Sequence, residues 1–178
     1  MGILNPPKSV TAKAEANAAI TAGKAMPKAN MKIPPLLAGV AGEYFVAAEL
    51  SRRGHIASIS LRNTRGIDIL ATNKDASLSI TIQCKTNQLA QKTWILNEKS
   101  EDFVSDKHFY VFVALGNVSD RPSYHIVPSR AVADHTSVTH RKWLETPGRA
   151  GRKHVDTPMR KFSDTDDAFL ERWDLLGL

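Results

Sequence analysis

The most constraining stretch of this chain is Ser77–Lys85, where apolar and polar side chains alternate without a break. Leu78, Ile80, Ile82 and Cys84 fall on one side of an extended backbone, and Ser79, Thr81, Gln83 and Lys85 on the other. Successive side chains of a β-strand project to opposite faces, so one face is to be buried and the other left polar. Two shorter strand-like runs precede it. His55–Leu61 leads into the polar loop Arg62-Asn63-Thr64-Arg65-Gly66, and Ile67–Ala71 into Thr72-Asn73-Lys74-Asp75, which has turn composition. Connections this short predict an antiparallel meander of three strands.

A helix is predicted ahead of the meander, from Leu36 to Arg53, with Gly54 as its C-terminal cap. Val46, Ala47 and Leu50 lie three, four and seven residues beyond Glu43, which places Glu43 on the core-facing stripe. A carboxylate there is costly unless it is paired or holds a cation. Glu49, Arg52 and Arg53 do not share that stripe and are expected to face solvent. Residues 1–35 read as a basic, Ala/Pro-rich appendage to a domain spanning 36–178. Its Ala-rich part, Thr11–Ala25, has helix-forming composition but is interrupted by Gly23, and Pro27, Pro34 and Pro35 break any continuation. A docked helix, a dimerisation arm and a flexible tail all fit that composition.

Downstream, Asn97–Ser105 is expected to form a short helix, and His108–Leu115 a central strand buried on both faces, being continuously aromatic or β-branched. Ser123–Val127 is a further strand ending at Pro128. Ser129 then caps a helix to about Ala133, with helix again near Lys142–Leu144. Thr146–Pro158 reads as a loop and Asp166–Leu176 as an amphipathic C-terminal helix. Trp94, Trp143 and Trp173 are expected in the core rather than as stacking platforms. The six histidines show no metal-ligand spacing.

Charge is informative once divided along the chain. Residues 1–32 hold five lysines against Glu15, and residues 139–161 hold Arg141, Lys142, Arg149, Arg152, Lys153, Arg160 and Lys161 against Glu145 and Asp156. Two basic segments thus flank a nearly neutral body within a net charge of +6, the pattern of a chain that meets a polyanion. The single Cys84 cannot form an internal disulfide and fits a reducing cytosol. Its place in an apolar strand pattern reads as a buried thiol. No apolar run approaches the roughly 20 residues of a membrane span.

Asp68, Gln83 and Lys85 carry the chemistry. Gln83 and Lys85 share a strand face at a spacing of about 7 Å, and the preceding strand can bring Asp68 opposite them. With Glu43 from the helix, two carboxylates and an amide oxygen suit a hard cation such as Mg²⁺, with Mn²⁺ as a substitute. Lys85 supplies positive charge beside an attacking water or a phosphoryl transition state.

The order Gly42-Glu43, then Gly66-Ile67-Asp68, then Gln83-Cys84-Lys85 resembles the PD-(D/E)XK nuclease superfamily, which includes many restriction endonucleases and archaeal Holliday junction resolvases. The resemblance covers Leu36–Thr86 and extends to His108–Leu115. It implies a restriction-endonuclease-like α/β fold with an αβββαβ core, a mixed central sheet flanked by helices. It also implies a metal site at Asp68, Gln83 and Glu43, completed by the main-chain carbonyl of Cys84. Two departures stand out. Ile67 replaces the family's proline, and Gln83 replaces its second acid, as in Mrr-like restriction enzymes. The resulting expectation is an endonuclease cutting nucleic acid, DNA before RNA, working as a monomer or homodimer. Arg62, Arg65, Arg141, Lys142, Arg149, Arg152 and Lys153 would contact phosphates. A catalytically silent binding module on the same fold, and an interaction or scaffold protein meeting an acidic partner, are the competing readings.

Overall fold

The computed structural model describes residues 32–61 and 66–178. The expected appendage therefore falls almost wholly outside the described residues, as do Arg62 and Arg65. Helix α1 spans Pro35–Arg52 and begins with proline at its first position, where no amide donor is needed. It stops at Gly54, whose φ of +90° no helix continues and whose N–H closes on the Ser51 carbonyl. The meander follows as β1 (Ile56–Ile59), β2 (Ile69–Thr72) and β3 (Ser79–Asn87), each pair antiparallel. Strand β5 (His108–Ala114) runs parallel to β3, and β6 (Ser123–Pro128) antiparallel to β5. The result is a mixed sheet in the order β1-β2-β3-β5-β6. This is the α/β architecture expected from the sequence, a mixed sheet flanked by helices.

The alternation in β3 divides two cores. Ile80, Ile82 and Cys84 pack with Ile69, Phe109 and Val111 beneath Val46 and Leu50 of α1. On the opposite face Tyr110, Phe112 and Ala114 pack with Trp94, Val132 and Phe162. Strand β5 is apolar throughout because both its faces are covered, and all seven of its residues are buried. The second core is closed by a two-stranded sheet of β4 (Thr93–Asn97) and β7 (Met159–Ser163) and by helix α2 (Ser129–Glu145). Among the described residues no helix is long and apolar enough to cross a membrane.

Five expectations are corrected. Helix α2 is continuous where a break after Ala133 was expected. The hydroxyls of Thr136, Ser137 and Thr139 bond back to carbonyls three or four residues earlier, so this polar run stays helical. The C-terminal helix from Asp166 is absent, leaving a 3-10 turn at Trp173–Leu176. Asp164 accepts the N–H groups of Ala168 and Phe169, and Asp167 and Glu171 have positive φ, so the segment forms turns that bond to β6 through Ile126 and Tyr124. Likewise, Asn97–Ser105 yields only a 3-10 turn at Glu98–Glu101. Glu49 is 6% exposed rather than solvated, held by Arg52, Arg53 and Arg121. Trp94 and Trp173 are core residues as expected, whereas Trp143 is 40% exposed.

Candidate active site

The site forms where β2 and β3 part. The Asp68 N–H still donates to the Ile82 carbonyl at 2.8 Å, the last backbone bond of that ladder. Strand pairing ends at Ile69–Ile82, and the Asp68 bond lies one residue out of that register, while Gln83 and Lys85 alternate with Ile82 and Cys84 along β3. Two residues before Asp68, Gly66 has φ +63°, a conformation that favours glycine. The next β3 donor facing β2, the N–H of Cys84, would be left without a strand partner. Asp68 Oδ2 takes it at 2.7 Å, so a carboxylate stands where a ladder carbonyl would be. The Cys84 carbonyl points to the same side as its N–H and opens into the same gap.

Electrostatics tie the other residues to this point. Burial raises the Asp68 carboxyl above its ordinary range, opposed by the Cys84 N–H and the Lys85 charge. The Cys84 thiol is pushed well up by burial, then by Asp68 and Glu43, with Lys85 opposing. Cys84 is thus an inert core thiol, as its sequence setting predicts. Both carboxylates and the ammonium act on this one residue.

Glu43 arrives through close packing of α1 on β3. A Cβ on the preceding Gly42 would lie 1.9 Å from Thr86 Oγ1, so only glycine lets the helix approach this far. Glu43 is half-buried, on the Cys84 side of the sheet. The charges of Glu43, Asp68 and Lys85 thus all reach Cys84, which Gln83 precedes on β3.

The basic residues behave differently. Arg141, Lys142, Arg149, Arg152 and Lys153 are all exposed. Arg149, Arg152 and Lys153 line a hollow beside Trp143, whose ring stacks on His154 at 4.1 Å. Sequence reasoning also missed a trio of potential ligands, His125, Asp164 and Asp167, whose donor atoms lie within 4.8 Å of one another. Their bonds mark them as a structural latch. Asp164 accepts from His125 and from two backbone N–H groups, and Lys92 places its ammonium 2.6 Å from Asp167, where it would repel a cation.

The raised Asp68 carboxyl gives a signed prediction. Its protonated form favours the fold below the unfolded carboxylate pKa, and that contribution is lost as pH rises through the folded value. Asp68→Asn keeps an acceptor for the Cys84 N–H and removes the desolvated charge. In chelator at pH 7 the variant should melt about 2 °C above wild type. The two curves should converge as pH falls below about 4. A variant that melts lower at pH 7 would show that the carboxylate is not destabilising there.

No family model matches the chain, and no curated protein matches it significantly. Among solved structures it is similar to a bacterial homing endonuclease, at 12% identity and a TM-score of 0.49, over 82% of this chain and 94% of that one.

Proposed function

We propose that this chain is a divalent-metal-dependent nuclease that hydrolyses phosphodiester bonds of nucleic acid, DNA in preference to RNA. The observation that supports the reading is the Asp68 carboxylate, raised by burial and holding the Cys84 N–H, with the charges of Lys85 and Glu43 acting on the same residue. Asp68, Glu43, Gln83 and the Cys84 carbonyl offer only oxygen donors, which suits Mg²⁺ or Mn²⁺, and a desolvated carboxylate gains most from a cation. When bound, such an ion polarises the phosphoryl oxygen and lowers the pKa of an attacking water. Asp68 and Glu43 orient that water, and the Lys85 ammonium balances charge growing on the phosphoryl oxygens. The exposed basic segment, with Arg62 and Arg65 before the site, holds the backbone by its phosphates without reading sequence.

The neutral Gln83 specifically favours a second reading, a binding module whose metal chemistry has been lost. A divalent-metal titration against labelled single-stranded, duplex and branched substrates separates the two. Cleavage with Mg²⁺ or Mn²⁺ and none in chelator is expected. Binding without cleavage supports the silent module, and no binding to any substrate supports an interaction protein. In the same assay Arg149, Arg152 and Lys153 changed together to Ala should flatten the slope of log K against log salt by up to about 3. An unchanged slope would make that loop ordinary solvated surface.

A further inference from the structure

Beside Gln83 lies a cavity of about 590 Å³ that none of the steps above uses. Its volume is that of a small-molecule site. Tyr110, the β5 neighbour of Gln83 in register, and Phe103 supply aromatic walls. Phe103 is 41% exposed, a large apolar ring left open at the cavity rather than folded into a core. Gly66 closes the side toward Asp68. A Cβ there would lie 3.5 Å from the Phe103 ring and 3.8 Å from Gln83 Oε1, so the cavity wall and the proposed ligand oxygen meet at one point.

One buried polar atom gives the cavity chemical character. Ser100 lines it, is 5% exposed, and its Oγ has no hydrogen-bond partner among the described residues. Behind the wall, outside the lining, the His108 ring meets Phe103 edge-on at 4.5 Å. A buried hydroxyl without a partner carries a free-energy cost that a ligand's polar edge can relieve. A phosphate is a poor occupant, because Asp102 offsets the single cation, Lys99, and two aromatic rings, Phe103 and Tyr110, form part of the wall. A flat ring with a hydrogen-bonding edge fits both features. A duplex is too wide to enter, so such a ring must first leave its stack.

We propose that this cavity takes a single nucleobase, swung out of the strand whose phosphodiester lies at Asp68 and Gln83. Phe103 stacks on its face, Ser100 bonds its edge, and Lys99 at the rim sits near the flanking phosphate. The proposal rests on the nucleic-acid reading above.

The test is equilibrium binding of the full chain, in chelator, to duplexes carrying one abasic nucleotide opposite each successive position along the strand. Removing the partner lowers the cost of swinging a base out, so wild type should bind one position roughly tenfold tighter than the paired duplex. Phe103→Ala should reduce that ratio to about 1. Ser100→Ala, which deletes a hydroxyl with no partner among the described residues, should reduce it roughly threefold with an unchanged melting curve. Equal affinity at every position for wild type, or a full ratio retained by both variants, overturns the proposal. Cleavage without a position effect removes the base pocket alone. A position effect without cleavage keeps the pocket and removes the catalytic reading, and no binding to any duplex removes both.

Discussion

Lys85→Ala should reduce cleavage by about a thousandfold or more with the fold intact, while Gln83→Glu should shift activity to lower Mg²⁺. The lysine ammonium acts on the same gap that Asp68 occupies, and its loss leaves charge on the transferring phosphoryl group without that compensation. Gln83 is proposed as a neutral ligand of the ion, so a glutamate there would add charge beside it. At an effective dielectric of about 20, one further charge a few ångströms from a divalent cation has a gross attraction of several kcal/mol. Desolvation offsets most of it and leaves about 1–2 kcal/mol, a roughly tenfold lower metal requirement. Activity against metal concentration, with calorimetry of Mg²⁺ binding, reads both effects. A silent wild type that Gln83→Glu revives would identify a decayed nuclease retained for binding. If neither protein binds a divalent ion, Gln83 and Lys85 are ordinary strand residues and the catalytic reading is lost.

Gly42→Ala is expected to damage both fold and site. The added methyl falls 1.9 Å from Thr86 Oγ1 and about as close as 3.0 Å to its Cβ, so α1 must lift from β3 or the threonine must move. Overpacking of this kind costs about 1–3 kcal/mol, or roughly 5 °C in melting temperature. Lifting α1 also withdraws Glu43, so Mg²⁺ affinity should fall beyond what reduced stability explains. Thr86→Ala offers a clean rescue. Its hydroxyl is buried with no partner among the described residues, so deleting it alone should cost little, and the double variant should recover most of the loss. A double variant as unstable as Gly42→Ala would show that the constraint lies elsewhere in the helix.

The residues differ sharply in how much of this was legible from their order. The alternation in Ser77–Lys85 and the unbroken apolar run from His108 are local patterns with one structural solution each, and both strands formed where expected. So did α1. The β4–β7 sheet was not legible. Its strands lie far apart in sequence, and one of its inward positions is Arg160, whose buried guanidinium donates to Glu101 at 2.6 Å and to the Thr157 and Met159 carbonyls. No hydrophobic pattern marks such a residue as internal. Glu49 misled for the same reason, since its burial depends on Arg121 far along the chain as well as on its own helix. The C-terminal segment has the apolar spacing of a helix, but its hydrogen bonds go to β6 and to Asp164, a preference invisible until those elements are packed together. The Asp68 bond to the Cys84 N–H is equally tertiary, because it exists only where two strands separate.

That C-terminal segment has a consequence for how the protein is made. Trp173 and Leu176 belong to the core beneath α1, so the first helix and the first three strands cannot bury their shared face until those residues are available. During synthesis the earlier elements leave the ribosome first, with part of their apolar surface still open. A chain interrupted before Trp173 would carry every residue of the proposed catalytic set yet leave open the part of the core that Trp173 and Leu176 fill, a surface exposed to proteolysis.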